Sequence, residues 1–160
     1  MNRRAFLLLG LPLAAAGCAT APPRGLAWRT LAKGVQSGIT TRRRRVFRAD
    51  VEWYAFWPEH AVGLERGGAP PAVDFAREMV VAVTLGTRPT GGHAVSVVGI
   101  GAGRNRIVVQ VEEFAPRTGA LVTTAETAPY HFIALPRSQA TVRFNTIRPD
   151  RRQNRPGGGL

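Results

Sequence analysis

The chain has 160 residues, a single cysteine and a formal net charge of +12 at pH 7. This length suits one domain of moderate size, and a single cysteine excludes any intrachain disulfide. The positive charge favours anionic surfaces or partners, although an arginine-rich composition that only keeps the protein soluble would give the same charge.

The first segment predicts an export signal. Met1–Arg4 is short and basic, and Ala5–Ala16 is almost wholly apolar. A run of about 12 apolar residues is shorter than the ~20 that cross a bilayer but suits the hydrophobic region of a signal peptide. Residues 1–17 are therefore expected to be removed, and the net charge falls from +12 to +10 because Arg3 and Arg4 leave with them.

The cysteine that follows predicts a lipid anchor. Cys18 comes directly after small residues at positions 15–17, and this arrangement resembles a bacterial lipobox, in which the cysteine is acylated and becomes the new amino terminus. Two or three acyl chains hold a protein on a membrane firmly, so the mature chain is expected in the cell envelope, facing the periplasm or the cell surface. Arg3 and Arg4 also resemble a twin-arginine signal, while the general secretory route remains an alternative. A signal peptide with a chance cysteine is the other interpretation.

The next residues predict a spacer and the start of the folded domain. Residues 18–27 contain paired prolines and no apolar periodicity, which is typical of a flexible spacer, and one domain is expected from 28 to 146. Trp28–Val35 and Arg44–Arg48 are predicted strands. The arginine run 42–45 predicts an exposed turn or sheet edge, because burying unpaired charge costs several kcal/mol.

An aromatic helix is predicted next. It runs over Val51–Trp57, with Asp50 as the capping residue and Pro58 as its end. Trp53 and Trp57 lie one turn apart, which favours a helix packed against the core.

The second half of the domain predicts a series of strands. Met79–Leu85, Ala94–Ile100 and Ile107–Val111 are separated by glycine-rich turns and are expected to form an antiparallel meander. Phe132–Leu135 and Thr141–Asn145 are the last two predicted strands. The fold class is therefore mainly β with one short helix, in an antiparallel sheet arranged as a sandwich or a partly open barrel. Residues 147–160 are basic and glycine-rich, and we expect a disordered tail there.

The side chains that usually support catalysis show no recognisable arrangement. The three histidines, His60, His93 and His131, are scattered, and no serine near them has a local nucleophile signature. Glu112 and Glu113 point to opposite faces of a strand, which argues against a metal site. The sequence therefore predicts no enzyme, no cofactor and no small-molecule substrate, and export argues against a nucleic-acid partner.

Residues 80–137 resemble the C-terminal domain of the protease complex subunit PrcB family. The resemblance rests on an apolar strand ending in Leu85-Gly86, a turn rich in glycine, a strand at 108–111, and a Pro-Tyr-His triplet before the final apolar run. His93 departs from the pattern, because the family more often has tyrosine after the double glycine. The resemblance implies a β-rich domain whose role is to assemble or stabilise another exported protein, in keeping with a family named after a subunit of a protease complex.

The best candidate site is the loop between the first two strands of the predicted meander, with the triplet as a second element. Glycines let a partner's backbone approach closely, and a proline reduces the entropy lost on docking. The predicted partner-binding residues are Arg88, Pro89, Thr90, Gly91, Gly92, His93, Pro129, Tyr130 and His131. Three alternatives stay open: glycines that serve only the turn, an exported protease inhibitor that uses the loop as a wedge, and a binder of anionic envelope polymers.

Overall fold

The computed structural model describes residues 24–65 and 67–147. The predictions for the signal peptide, for Cys18 and for the tail beyond Ile147 lie outside these residues and stay predictions. The described chain forms nine elements in the order β1 (Arg24–Gly25), β2 (Arg29–Gly34), β3 (Arg43–Phe47), α1 (Asp50–Ala61), β4 (Glu78–Thr84), β5 (Ala94–Ala102), β6 (Arg106–Phe114), β7 (Tyr130–Pro136) and β8 (Thr141–Ile147). Strand pairing thus begins within the segment predicted as a spacer, since β1 pairs with the end of β5.

The strands form two four-stranded sheets, which confirms the mainly β fold with a sandwich-like arrangement. Sheet A has the order β1-β5-β6-β8, and sheet B has the order β2-β7-β4-β3. The predicted meander is wrong, because β4 lies in sheet B whereas β5 and β6 lie in sheet A. The described chain crosses between the sheets after β1, β4, β6 and β7. Strand β8 returns to sheet A in the same direction as β6, so this one pair is parallel.

An apolar core lies between the two sheets. Met79, Val81 and Val83 alternate along β4 and meet the inward face of sheet A, where Val109 and Val111 are fully buried. The intervening residues of β4 point to the opposite face of sheet B. Strand β4 is therefore buried on both faces, which explains its continuous apolar sequence.

A second core lies between sheet B and helix α1. Trp53 is fully buried and contacts the rings of Phe47, Phe56, Trp57 and Phe132 at centroid distances of 5.3–5.8 Å. Clusters of aromatic rings at such distances stabilise a core beyond the area that they bury. The predicted core-facing role of the aromatic helix is confirmed.

The helix differs from the prediction at both ends. Ala49 occupies the capping position and makes no side-chain cap, while the Asp50 carboxylate accepts a hydrogen bond from the backbone of Val51 at 2.7 Å. Pro58 lies inside the last turn, and the helix continues to Ala61. Proline removes its own N–H from the helical hydrogen bonds and its ring crowds the carbonyl four residues earlier, and the burial of His60 in the aromatic core compensates by favouring one more turn.

The arginine run lies at a sheet edge, as predicted. It begins β3, the last strand of sheet B. Arg42 and Arg44 both contact Glu113 of sheet A, and Arg43 pairs with Glu59 of the helix. These ion pairs connect the edge of sheet B to sheet A on one side and to helix α1 on the other.

The loops between the strands lie at the two opposite ends of the sandwich. One end, here called the tip, carries the loops 85–93 and 115–129. The other end, the base, carries β1 and the turn 103–105 between β5 and β6. Strand β6 runs from base to tip over nine residues, which separates the two ends by about 27 Å.

Candidate partner-binding loops

The predicted loop at 88–93 lies at the tip, where a second loop braces it. Arg88 and Thr127 exchange two backbone hydrogen bonds, at 2.7 and 2.9 Å. The N–H of Gly91 donates to the carbonyl of Thr123 at 2.9 Å, and the Thr127 hydroxyl donates to the carbonyl of Thr90 at 3.0 Å. The two tip loops therefore form one structure held by backbone contacts.

Two glycines of the loop are required by this geometry. A Cβ atom at Gly91 would collide with the Thr123 side chain, and Gly91 is buried. Gly92 has a φ of +79°, in the region that favours glycine, and it lies next to Val122 and Pro116. Both glycines thus serve the contact between the tip loops.

The other loop residues differ in how far they reach solvent. Pro89 is exposed, whereas Thr90 and His93 are half-buried. Arg88 turns back, and its guanidinium donates to the carbonyl of Leu85 at 2.9 Å. Burial, together with the charge of Arg88, lowers the pKa of His93 and so favours its neutral form.

The second loop contributes the most exposed apolar side chains of the tip. Leu121 is fully exposed at 104%, Val122 is 37% exposed, and Phe114 at the end of β6 is 45% exposed. Gly92 approaches Val122, and Phe114 pairs with Ala94 directly after the first loop. Single exposed apolar residues are common, whereas several in one surface region make that region a candidate interaction site. The sequence prediction missed these residues, although an apolar pair within a polar loop was visible in the sequence.

The Pro-Tyr-His triplet lies in the interior and not beside the loop surface. Pro129 is buried, and its carbonyl accepts a hydrogen bond from Leu85 at 2.9 Å. Tyr130 is 8% exposed and packs against His60 at a ring distance of 4.4 Å. Burial raises the pKa of Tyr130. These side chains support the tip from beneath.

His131 connects the two sheets. Its Nδ1 accepts a hydrogen bond from the backbone N–H of Val97 in sheet A at 2.9 Å, so the proton of the neutral ring lies on Nε2. Nε2 lies 2.9 Å from the Thr30 hydroxyl of β2 and donates to it. Burial, with a smaller contribution from Lys33, lowers the pKa of His131 to about 4.

A serine and a histidine that the sequence did not connect form a buried pair. Ser37 Oγ lies 2.9 Å from His60 Nδ1, and the same hydroxyl accepts a hydrogen bond from the backbone of Ile39. Burial lowers the pKa of His60 to about 4, and the ring is fully covered by aromatic neighbours. A hydrolytic base needs a pKa near the working pH and contact with substrate. In this geometry the pair holds the loop before β3 against the end of the helix.

Two further properties concern only the residues that the structure describes. Within residues 24–65 and 67–147, no three histidine, cysteine or acidic side chains come close enough to hold a metal ion. In the same part of the chain, no helix has the length and apolar character needed to cross a bilayer.

Comparison with known proteins gives one match. Neither the curated proteins nor the solved structures include a protein that matches this chain. Residues 79–136 match the family model described as PrcB C-terminal, and these residues comprise nearly all of β4 to β7 together with both tip loops. This match confirms the resemblance to the PrcB C-terminal family that the sequence of this segment indicated.

Proposed function

We propose that the chain is a lipoprotein of the cell envelope, anchored through Cys18, that binds another exported protein through its tip loops. The family match supports a subunit of a protease complex as the class of protein, and it supports an accessory role over a catalytic one. The partner would then be an exported protease or another envelope protein. In this role the chain assembles or stabilises its partner without changing covalent bonds itself.

The observation that carries the proposal is the exposure of Leu121 on a braced loop. A fully exposed leucine costs free energy in water, and burial against a partner would recover roughly 2 kcal/mol. The surrounding loops are already fixed by backbone hydrogen bonds between residues 88–91 and 123–127. A surface that is ordered before binding loses less entropy when a partner docks.

The alternative functions have less support in this geometry. A wedge inhibitor would need a loop that projects, whereas Gly91 is buried and Arg88 turns back to Leu85. The arginine run at 42–45 offers a polymer binder little free charge, because Arg42, Arg43 and Arg44 contact glutamates within the domain. We therefore place the partner contact at the apolar part of the tip.

Crosslinking on intact cells tests the proposal. We expect the native chain to capture a specific exported protein, and Leu121→Asp to reduce capture at least about tenfold, because a charge replaces the most exposed apolar side chain of the tip. The matched control is Val51→Asp, which places the same charge at another apolar side chain, 70% exposed, on the helix. The control should capture the partner at the native level.

Two outcomes would count against this assignment. Equal capture by the native chain and Leu121→Asp would exclude the tip as the contact surface. A fall in peptidase activity when the purified chain is added to a captured protease would favour the inhibitor instead. Mass measurement of the mature amino terminus tests acylation of Cys18 separately.

A further inference from the structure

The base of the sandwich carries a cluster of exposed arginines. Arg104 and Arg106 lie in and directly after the turn between β5 and β6, and both are exposed. Arg143 on β8 is exposed and pairs with Val108 of β6. Val108 lies two residues after Arg106 and therefore on the same face of β6. Because side chains two residues apart share one face of a sheet, Arg106 and Arg143 project from the outer face of sheet A.

The charge of these arginines is not balanced by ion pairs, in contrast to that of four arginines elsewhere in the described fold. Among the described residues, Arg29, Arg42, Arg43 and Arg44 make ion pairs at 2.9 Å or less with a glutamate. Within the same residues, no ion pair involves the base cluster Arg104, Arg106 and Arg143. The outward-facing acid on β6 is Glu112, six residues and about 20 Å from Arg106 toward the tip. The base cluster is thus an uncompensated positive surface.

The chain enters the fold at this same end. Arg24 pairs with Ala102 in the first described strand, next to the turn that carries Arg104. Cys18 lies six residues earlier in the sequence, and six extended residues span at most about 20 Å. An anchor at Cys18 would therefore keep the base within reach of the lipid headgroups, while the tip lies at the far end of the strands.

We propose that the base cluster binds the headgroups of anionic phospholipids and so orients the domain with its tip loops away from the membrane. The orientation rests on the proposed lipid anchor, whereas the affinity of the cluster for an anionic bilayer does not. Each arginine near such a surface strengthens binding roughly fivefold. The attraction acts within a Debye length of about 8 Å at physiological salt, a range that the short link to Cys18 allows.

Vesicle binding tests the proposal without the acyl chains. The protein is the chain from position 18 with Cys18→Ser, which leaves the described residues unchanged because they begin at Arg24. We expect it to bind vesicles that contain phosphatidylglycerol and to dissociate as salt is added, but not to bind vesicles of phosphatidylcholine alone. The Arg104→Gln/Arg106→Gln variant should bind the anionic vesicles about 10- to 30-fold more weakly.

A second double variant separates the base cluster from net charge. Arg45→Gln/Arg117→Gln removes the same charge from exposed positions away from the base, and it should retain native binding within about twofold. Equal weakening of the two double variants would overturn the proposal and assign the binding to overall charge. Equal binding to both kinds of vesicle would also overturn it.

The result of the vesicle experiment does not depend on whether the proposed function is correct. Missing acylation at Cys18, or lack of a captured partner, would refute that function and leave the vesicle result unchanged. A domain that is acylated and captures its partner, but whose base cluster variant binds vesicles normally, would refute only the present proposal.

Discussion

Lowering the pH from 7 to 4 is expected to reduce the free energy of unfolding by about 3 kcal/mol for each of two buried histidines. Burial lowers the pKa of both His60 and His131 from 6.5 to about 4. The unfolded chain therefore binds protons at a higher pH than the folded protein. The stability that comes from keeping these two rings neutral is fully present above about pH 6.5. It decreases as the pH falls below that value and is lost as the pH falls through the folded pKa near 4. Two such losses together approach the whole stability of an ordinary domain.

The structural reason differs between the two rings. Protonation of His131 would place an N–H opposite the N–H of Val97, and the contact between the sheets would become repulsive. Protonation of His60 would leave a charged ring enclosed by aromatic side chains, with Nε2 lacking a hydrogen-bond partner among the described residues. Cation–π attraction from those rings offsets only part of the lost hydration.

Urea denaturation at several pH values between 7 and 4 measures this effect. His60→Phe and His131→Gln each remove one titrating group, so each variant should show about half of the native pH dependence. The third histidine provides the control, because His93 is half-buried at the tip and His93→Gln should retain nearly the full dependence. Native pH dependence in both buried-histidine variants would show that other groups cause the acid instability.

Trp53→Ala is expected to destabilise the domain by about 3–5 kcal/mol. The indole is fully buried and contacts four aromatic rings between the helix and sheet B. Its removal leaves a cavity that neighbouring side chains fill only in part. Chemical denaturation at pH 7 measures the change.

The adjacent residue is the matched control for this substitution. Tyr54 lies on the same helical turn but is 54% exposed, so Tyr54→Ala should cost less than about 1 kcal/mol. Equal losses in the two variants would mean that the helix contributes through its propensity and not through the aromatic core. A small loss in Trp53→Ala would contradict the packing described here.

The strands were largely predictable because their signals are local. Alternating residues such as Ile107, Val109 and Val111 indicate a strand with one buried face, and the continuous apolar run at β4 indicates burial on both faces. The pairing of strands was not predictable in the same way. A glycine-rich connection after β4 is equally compatible with a hairpin and with a crossing to another sheet, and here it crosses.

The candidate site was predictable in part. The loop at 88–93 lies at the surface of one end, as its glycines and proline indicated. The triplet that begins with Pro129 lies beneath that surface, because its alternating residues face the two cores of the sandwich. Leu121 was missed although it forms an apolar pair with Val122 in a polar loop, because the sequence does not show whether such a pair is exposed or buried.

The sequence alone determined the family segment and the number of main strands, because each depends on residues that are close together in the chain, and for the same reason it predicts the anchor at Cys18. Only the tertiary structure decided which residues meet across long separations. Strand pairing and sheet packing bring together three such sets: Ser37 with His60, Val97 with His131, and the first tip loop with the second. The same packing places β1 and the exposed arginines at one end and Leu121 at the other, because strand direction sets which loops share an end.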